Sequence, residues 1–256
     1  MTQGGLRFSA RIDPHGFLGA VQFLTRVPVG GGNYNLSDTI VWLPVVGVLL
    51  GGALAALDAV LRWLSAPSLL SATLLVVALL LLTGALHADG LMDTCDAAFG
   101  HASPERRLEI MRDPRAGAFG VAGLVCLIAL KIAAVDALPS TIRPGLLLLA
   151  PGLGRWSIVL LATIFPYGRA NGLGAPLKQA ATPAALALAS AVPVVGCAVL
   201  GPPGAVAGVV AVVTAYGIGR WLLTLLPGLT GDCYGAVCEV VEMMVWVTGA
   251  LVVARV

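Results

Sequence analysis

The sequence predicts an all-α fold: a polytopic membrane bundle of about seven transmembrane helices, with an interfacial helix at the N-terminal end. Three observations predict it. Of the 256 residues, 58% are hydrophobic and only 11% are charged, with a mean hydropathy of +0.94. An average soluble domain carries roughly 25% charged residues, so a water-facing surface cannot be built from this chain. Apolar runs near the ~20 residues that cross hydrocarbon recur along it. Finally, when these runs are threaded alternately through a bilayer, the basic residues gather on one side.

The elements follow in order. The N-terminal stretch carries Arg7, Arg11 and Asp13 with no long apolar region behind them, which argues against a cleaved signal peptide. In "GFLGAVQFLTRVPV", Phe17, Leu18, Val21 and Leu24 recur at helical spacing. The segment is too short to span, so an amphipathic helix lying in the interface is expected. Spans are expected at roughly 41–63, 69–86, 118–138, 144–164, 184–200, 204–226 and 237–254. The fifth is interrupted by Pro193 and Gly196. Gly47 and Gly51 form a GxxxG in the first, a pattern that lets helices pack closely. With no repeat, linker or separate soluble part, residues 1–256 read as a single transmembrane catalytic domain.

Charge sets the orientation. A cytoplasmic N-terminus puts Arg7, Arg11, Arg26, Arg106, Arg107, Arg112, Arg115, Arg169 and Lys178 inside, and Arg62, Arg143 and Arg255 outside. Lys131, Arg155 and Arg220 fall within spans. The net charge of +2 is too small to suggest a nucleic-acid partner. The five cysteines show no zinc-type spacing and no disulfide framework.

The chemistry concentrates in "HADGLMDTCD", residues 87–96. Read as a helix, it places Asp89, Asp93 and Asp96 at i, i+4 and i+7, on one face. Clustered carboxylates repel unless a cation lies between them, and hard oxygen ligands of this kind suit Mg²⁺ held jointly with substrate phosphates. A solvated loop that merely ends the second span is the bland alternative. His87 is a candidate general base, phosphate donor or cap. In "RRLEIMRDPRAGAFG", Arg112 and Arg115 flank Asp113; the arginines are candidate phosphate ligands, and Asp113 is a further metal ligand or an arginine partner. A surface ion-pair cluster reads equally well there.

A second acidic stretch, "GLTGDCYGAVCEVVE", puts Asp232, Glu239 and Glu242 on one helical face at the start of the last span. Ionisable groups inside a membrane segment are functional candidates by default. Asp232 and Glu239 therefore join the candidate metal set. Arg26, Arg155 and Arg169 are assigned with Arg112 and Arg115 to substrate binding, and Arg155 is expected to partner Asp232. All these groups fall in one half of the membrane, and one shared cytoplasmic-side pocket is the simplest account. A helical membrane enzyme with a Mg²⁺-carboxylate site and several arginines points to phosphoryl-type transfer from a diphosphate.

At these residues the chain resembles a known family. "GALHADGLMDTCDAAFG" followed by "RLEIMRDPRAGAFGV" is similar to the signature of the cobalamin synthase, or adenosylcobinamide-GDP ribazoletransferase, family. "FLTRVPV", "WLPVVGVLLGG", "GRWSIVLLA" and "GLTGDCYGAVCEVVE" extend the resemblance over nearly the whole chain. The resemblance implies Mg²⁺ as cofactor and residence in a bacterial cytoplasmic membrane. It also implies the closing step of cobalamin nucleotide-loop assembly, in which the ribose 3′-hydroxyl of α-ribazole or its 5′-phosphate attacks adenosylcobinamide-GDP and GMP leaves. On this reading Asp89, Asp93, His87, Asp232 and Arg112 are the catalytic group. The acceptor identity and the oligomeric state, a homo-oligomer included, stay open.

Two alternatives fit the residues less well. A CDP-alcohol phosphotransferase wants Ala-Arg after Asp-Gly, whereas Asp89-Gly90 is followed by Leu91-Met92-Asp93. A cation-coupled transporter is expected to carry ionisable groups near mid-membrane in repeated halves, and no repeat is found.

Overall fold

The structure, a computed structural model, describes residues 13–252 apart from 31, 33, 170 and 173. Arg7, Arg11 and Arg255 lie outside the described residues, so the charge count rests structurally on the others. Eleven α-helices are described: α1 (Pro14–Leu24), α2 (Leu43–Trp63), α3 (Ser68–Thr83), α4 (Leu86–Phe99), α5 (Pro104–Ile110), α6 (Ala118–Ala137), α7 (Arg143–Ile164), α8 (Ala175–Ala180), α9 (Pro183–Leu200), α10 (Pro202–Leu222) and α11 (Gly231–Val252). A 3₁₀ segment, Leu36–Trp42, runs directly into α2. Among the described residues there is no strand, only one isolated bridge between Tyr167 and Leu229.

Helix α1 forms where the short amphipathic segment predicts it. The Asp13 side chain caps it by accepting from the His15 amide, and Pro14 occupies the first turn, where its missing N–H is harmless. Phe17 meets Trp42 edge-on at 5.6 Å, which ties α1 to the 3₁₀ segment.

Six helices are long and apolar enough to cross a membrane: the 3₁₀ segment with α2, then α6, α7, α9, α10 and α11. The expected span at 69–86 departs from this. Helix α3 stops at Thr83, and at 16 residues is ~24 Å long. Gly84 and Ala85 both adopt left-handed φ values, +61° and +57°. The chain then turns by 92° into α4. The acid-bearing segment is therefore a separate helix laid across the bundle. Counting the bent α3–α4 pair as one span, the candidate crossings among the described residues number seven. Helix α9 continues through Pro193, which is itself buried although little else of α9 is; the proline costs the helix one hydrogen bond without ending it.

Helices α7 and α11 form the centre. The Gly47/Gly51 pair does pack α2 closely on α7: a Cβ on Gly47 would stand 2.8 Å from Gly152 Cα, and one on Gly51 2.7 Å from the Leu147 carbonyl oxygen. At one end of the bundle gather α1, α4, α5, α8 and the starts of α6 and α11. The other end is stapled by Asp58, which is wholly buried and accepts from Arg143 Nε at 2.9 Å; Arg62 Nε lies 3.1 Å from its second oxygen. Arg143 also donates to the Val135 carbonyl at 2.6 Å, joining α2, α6 and α7.

Candidate active site

Helix α4 lies against the first turns of α11, and two glycines permit the contact. A Cβ on Gly90 would stand 2.8 Å from the Asp232 carbonyl oxygen. A Cβ on Gly235 would stand 3.2 Å from His87 Cα. The two acidic stretches, 136 residues apart between Asp96 and Asp232 in sequence, therefore meet, and Asp93 lies within Coulombic range of Asp89, Asp96 and Asp232.

A chamber opens at this crossing, lined by His87, Asp89, Asp232 and Tyr234 with apolar Phe23, Leu86, Ile158 and Leu177 among its other walls. His87 is buried, with Nδ1 3.4 Å from Cys238 Sγ. Phe23, Leu86 and Asp89 also border a second, open groove that contains Gln22, Thr25, Arg26, Thr83 and Met92. Arg26 is placed there by its amide, which donates to the Leu82 carbonyl at 2.7 Å, and by Gly84, where a side chain would collide with the guanidinium.

Arg169 is brought to Asp232 at 3.0 Å by the loop after α7. That loop is pinned by Gly168 and Leu229, which exchange backbone bonds with Leu229 and Pro166 at 2.8 and 2.9 Å. Lys178 donates to the Ala162 and Phe165 carbonyls at the end of α7, both at 2.8 Å, and burial lowers its pKa. Tyr167 and Tyr234 pack together at 6.2 Å beneath it. Met111, buried, reaches Thr230 beside Asp232, so the loop carrying Arg112, Asp113 and Arg115 docks next to the site.

Several expected roles change. Asp96, expected as a metal ligand, accepts from the Gly117 and Gly120 amides, both at 2.8 Å, and so caps α6; four orphan N–H groups at a helix start attract a carboxylate. Asp113 pairs with Arg115 at 2.7 Å in the open, and this hydrogen-bonded pairing holds its carboxyl down at about 2. Neither Asp113 nor Arg115 turns to the aspartates. Arg112 is exposed, with no side-chain partner among the described residues. Glu239 lies deeper and bonds Lys131 at 2.5 Å. Arg155 does not partner Asp232; it meets Glu242, because both are buried in the same layer of the bundle. Lys131 was passed over in the sequence, although a lysine within an apolar span always needs an acid nearby. Tyr234 and Phe23 carried no signal, being aromatic residues among apolar neighbours.

Among the described residues no three of His, Cys, Asp and Glu stand close enough to hold an ion unaided. An ion at Asp89, Asp93 and Asp232 would therefore need substrate phosphate and water to complete its shell, which is the usual manner of Mg²⁺.

The model of one family, described as cobalamin-5-phosphate synthase, matches residues 16–250. The chain belongs to that family. A relative from Stutzerimonas stutzeri named adenosylcobinamide-GDP ribazoletransferase is 41% identical over 241 residues, covering 92% of this chain and 98% of its own. One of the same name from Desulforamulus reducens is 40% identical over 232 residues, covering 88% and 92%. A third, from Roseiflexus sp., is 36% identical over 240 residues, covering 90% and 87%. No solved structure matches the chain. Membership in this family reaches from α1 through α11, and therefore includes both acidic stretches.

Proposed function

We propose that the chain is an adenosylcobinamide-GDP ribazoletransferase of a bacterial cytoplasmic membrane, with the α4 end of the bundle facing the cytoplasm. The observation that carries the reading is the match to relatives of that name along nearly their whole length. The orientation is supported by the basic residues at that end, among them Arg26, Arg106, Arg107, Arg112, Arg115 and Arg169.

The reaction joins the phosphorus attached to cobinamide to the 3′-hydroxyl of α-ribazole or its 5′-phosphate, and GMP departs. Asp89, Asp93 and Asp232 would hold Mg²⁺ against the donor diphosphate; the bound ion would neutralise charge that develops on the phosphates. The rest falls to the side chains. Arg26 and Arg169 border the site on two sides and orient phosphate oxygens, since a guanidinium offers a planar fork of donors. His87, on the chamber wall with Nδ1 turned to Cys238, is held neutral because burial and Arg155 push its pKa down to about 3, and its other nitrogen is placed to orient the attacking hydroxyl. Phe23, Leu86, Ile158 and Leu177 exclude water, which suppresses hydrolysis of the donor.

The test uses purified protein in lipid vesicles with adenosylcobinamide-GDP and α-ribazole. GMP release that requires both substrates and stops on chelation, returning with added Mg²⁺, is expected. Asp93→Asn is expected to lower the rate by about 100-fold or more, the scale for losing transition-state electrostatics. Donor cleavage without acceptor, or none in the intact protein, overturns the reading.

A further inference from the structure

Four charged side chains lie in the bundle below the chamber, outside the group assigned to chemistry. Lys131 of α6 is 2% exposed, Arg155 of α7 0%, and Glu239 and Glu242 of α11 3% and 0%. Lys131 Nζ is 2.5 Å from Glu239 and 2.6 Å from Glu242. The other oxygen of Glu242 meets Arg155. Lys131 also stands 5.5 Å from the centre of the Trp246 ring. Two cations and two anions balance, which removes the large cost of a lone charge in a low-dielectric interior.

A charge-balanced set of this kind adds little net stability over apolar packing, and its best-attested use is to fix register. Here the register matters. Asp232, Glu239 and Glu242 share one face of α11, at spacings of seven and three residues. A rotation of α11 that moved the glutamates off Lys131 and Arg155 would carry Asp232 away from α4 by the same angle. The other faces of α11 bury apolar residues such as Val237, Val241 and Val245, and their polar tie is Trp246 Nε1, which donates to the Leu146 carbonyl at 3.1 Å.

We infer that Lys131 and Arg155 are positioning residues: by pairing Glu239 and Glu242 they set the rotation of α11 and so hold Asp232 opposite Asp89 and Asp93. The inference rests on the proposed function only in assigning the chemistry to those aspartates.

Two readouts test it. The first is turnover of Lys131→Met and of the charge-balanced double variant Lys131→Met/Glu239→Gln in vesicles, with thermal midpoints recorded. Lys131→Met is expected to lose about 10-fold or more in kcat with KM for the donor within about 2-fold, the pattern of lost transition-state geometry. The double variant keeps only the Arg155–Glu242 pair, and its kcat is expected to stay about 3-fold or more below the parent's. The second readout needs no activity. Leu91 of α4 and Ala236 of α11 pack in one small cluster. With the native cysteines replaced by alanine, Leu91→Cys/Ala236→Cys is expected to cross-link quickly in the parent, slowly with Lys131→Met, and slowly also in the balanced variant, which lacks the Lys131 pairing. If Lys131→Met does not fold, the balanced variant decides: slow cross-linking supports the inference and cross-linking at the parent's rate overturns it. A Lys131→Met protein that melts earlier but turns over and cross-links like the parent makes the four charges a stability element alone and overturns it too. An absence of GMP release from the parent counts against the proposed function, while the cross-linking ratios still judge the inference.

Discussion

Gly90 of α4 sits directly on the backbone of Asp232 in α11: a Cβ there would stand 2.8 Å from the Asp232 carbonyl oxygen and 3.0 Å from its Cα. Two acidic segments far apart in sequence are brought together because one residue lacks a side chain. Backbone atoms cannot step aside as a flexible side chain can, so any larger residue must push the helices apart. Gly90→Ala is expected to lower GMP release by about 10-fold or more, because displacements of this size spoil reactive geometry. Gly52 is the control. Its Cβ would meet only Leu148 Cδ1, at 3.6 Å, an ordinary contact. Gly52→Ala is expected to leave turnover within about 2-fold of the parent, since Gly→Ala in a helix is otherwise favourable. Equal rates for the two variants would remove the crossing from the account.

How much of this was legible in the sequence depends on the range of the signal. The spans are local and follow from hydropathy, so α2, α6, α7, α9, α10 and α11 appear where the apolar runs are. The break between α3 and α4 follows from a left-handed pair at Gly84 and Ala85. Gly84 announces such a turn, but Ala85 does not, and an apolar run ending at 86 looks unbroken. The meeting of Asp232 with the α4 acids was expected from their shared depth. Partner choice was not legible. Asp96 lies on the same face as Asp89 and Asp93, yet its oxygens reach the start of α6, because which helix start lies beside it is a tertiary matter. Arg155, expected to partner Asp232, meets Glu242 instead, and the course of the loop after α7 brings Arg169 to Asp232.

Arg106 and Arg107 are adjacent in sequence, yet the structure gives them different contacts. Arg106 pairs with Glu109 in the open, with both side chains more than half exposed, and such pairs are worth ~0–1 kcal/mol. Arg107 donates to the Ala97 and Ala98 carbonyls at the end of α4 and to Ala102 at 3.1 Å. It satisfies carbonyls that the helix end leaves free. Arg107→Ala is expected to loosen α4 at its last turn, costing about 1–3 kcal/mol for a charge-assisted bond and raising hydrogen exchange over 94–99. Arg106→Ala is expected to change neither exchange nor rate.

Asp58, at the end of the bundle away from the site, is wholly buried between Arg143 and Arg62. Its distance from the site predicts an intact reaction, and its burial predicts a weaker fold. Asp58→Ala leaves Arg143 without its carboxylate in a buried setting, which costs about 3–5 kcal/mol. The thermal midpoint in detergent should fall while the rate per folded molecule stays within about 2-fold of the parent, as expected for a site not involved in the transition state. A rate that falls with an unchanged midpoint would contradict both halves of the argument.

Arg169 has one edge on Asp232, through Nη1 at 3.0 Å, while Nε and Nη2 are buried with no partner among the described residues. Unpaired buried donors are costly, and a site that binds a diphosphate gives them a use. Arg169→Lys keeps a charge for Asp232 but has no second edge with which to hold a phosphate oxygen. If that edge serves the donor, the lysine variant should fold with the parent's thermal midpoint and lose the equivalent of about 1–3 kcal/mol in kcat/KM for the donor. KM for the acceptor should be unchanged. Arg169→Ala should do worse, because Asp232 then loses its one cationic partner among the described residues. A lysine variant with the parent's kcat/KM would confine Arg169 to holding Asp232 and leave Arg26 as the arginine that meets the phosphates.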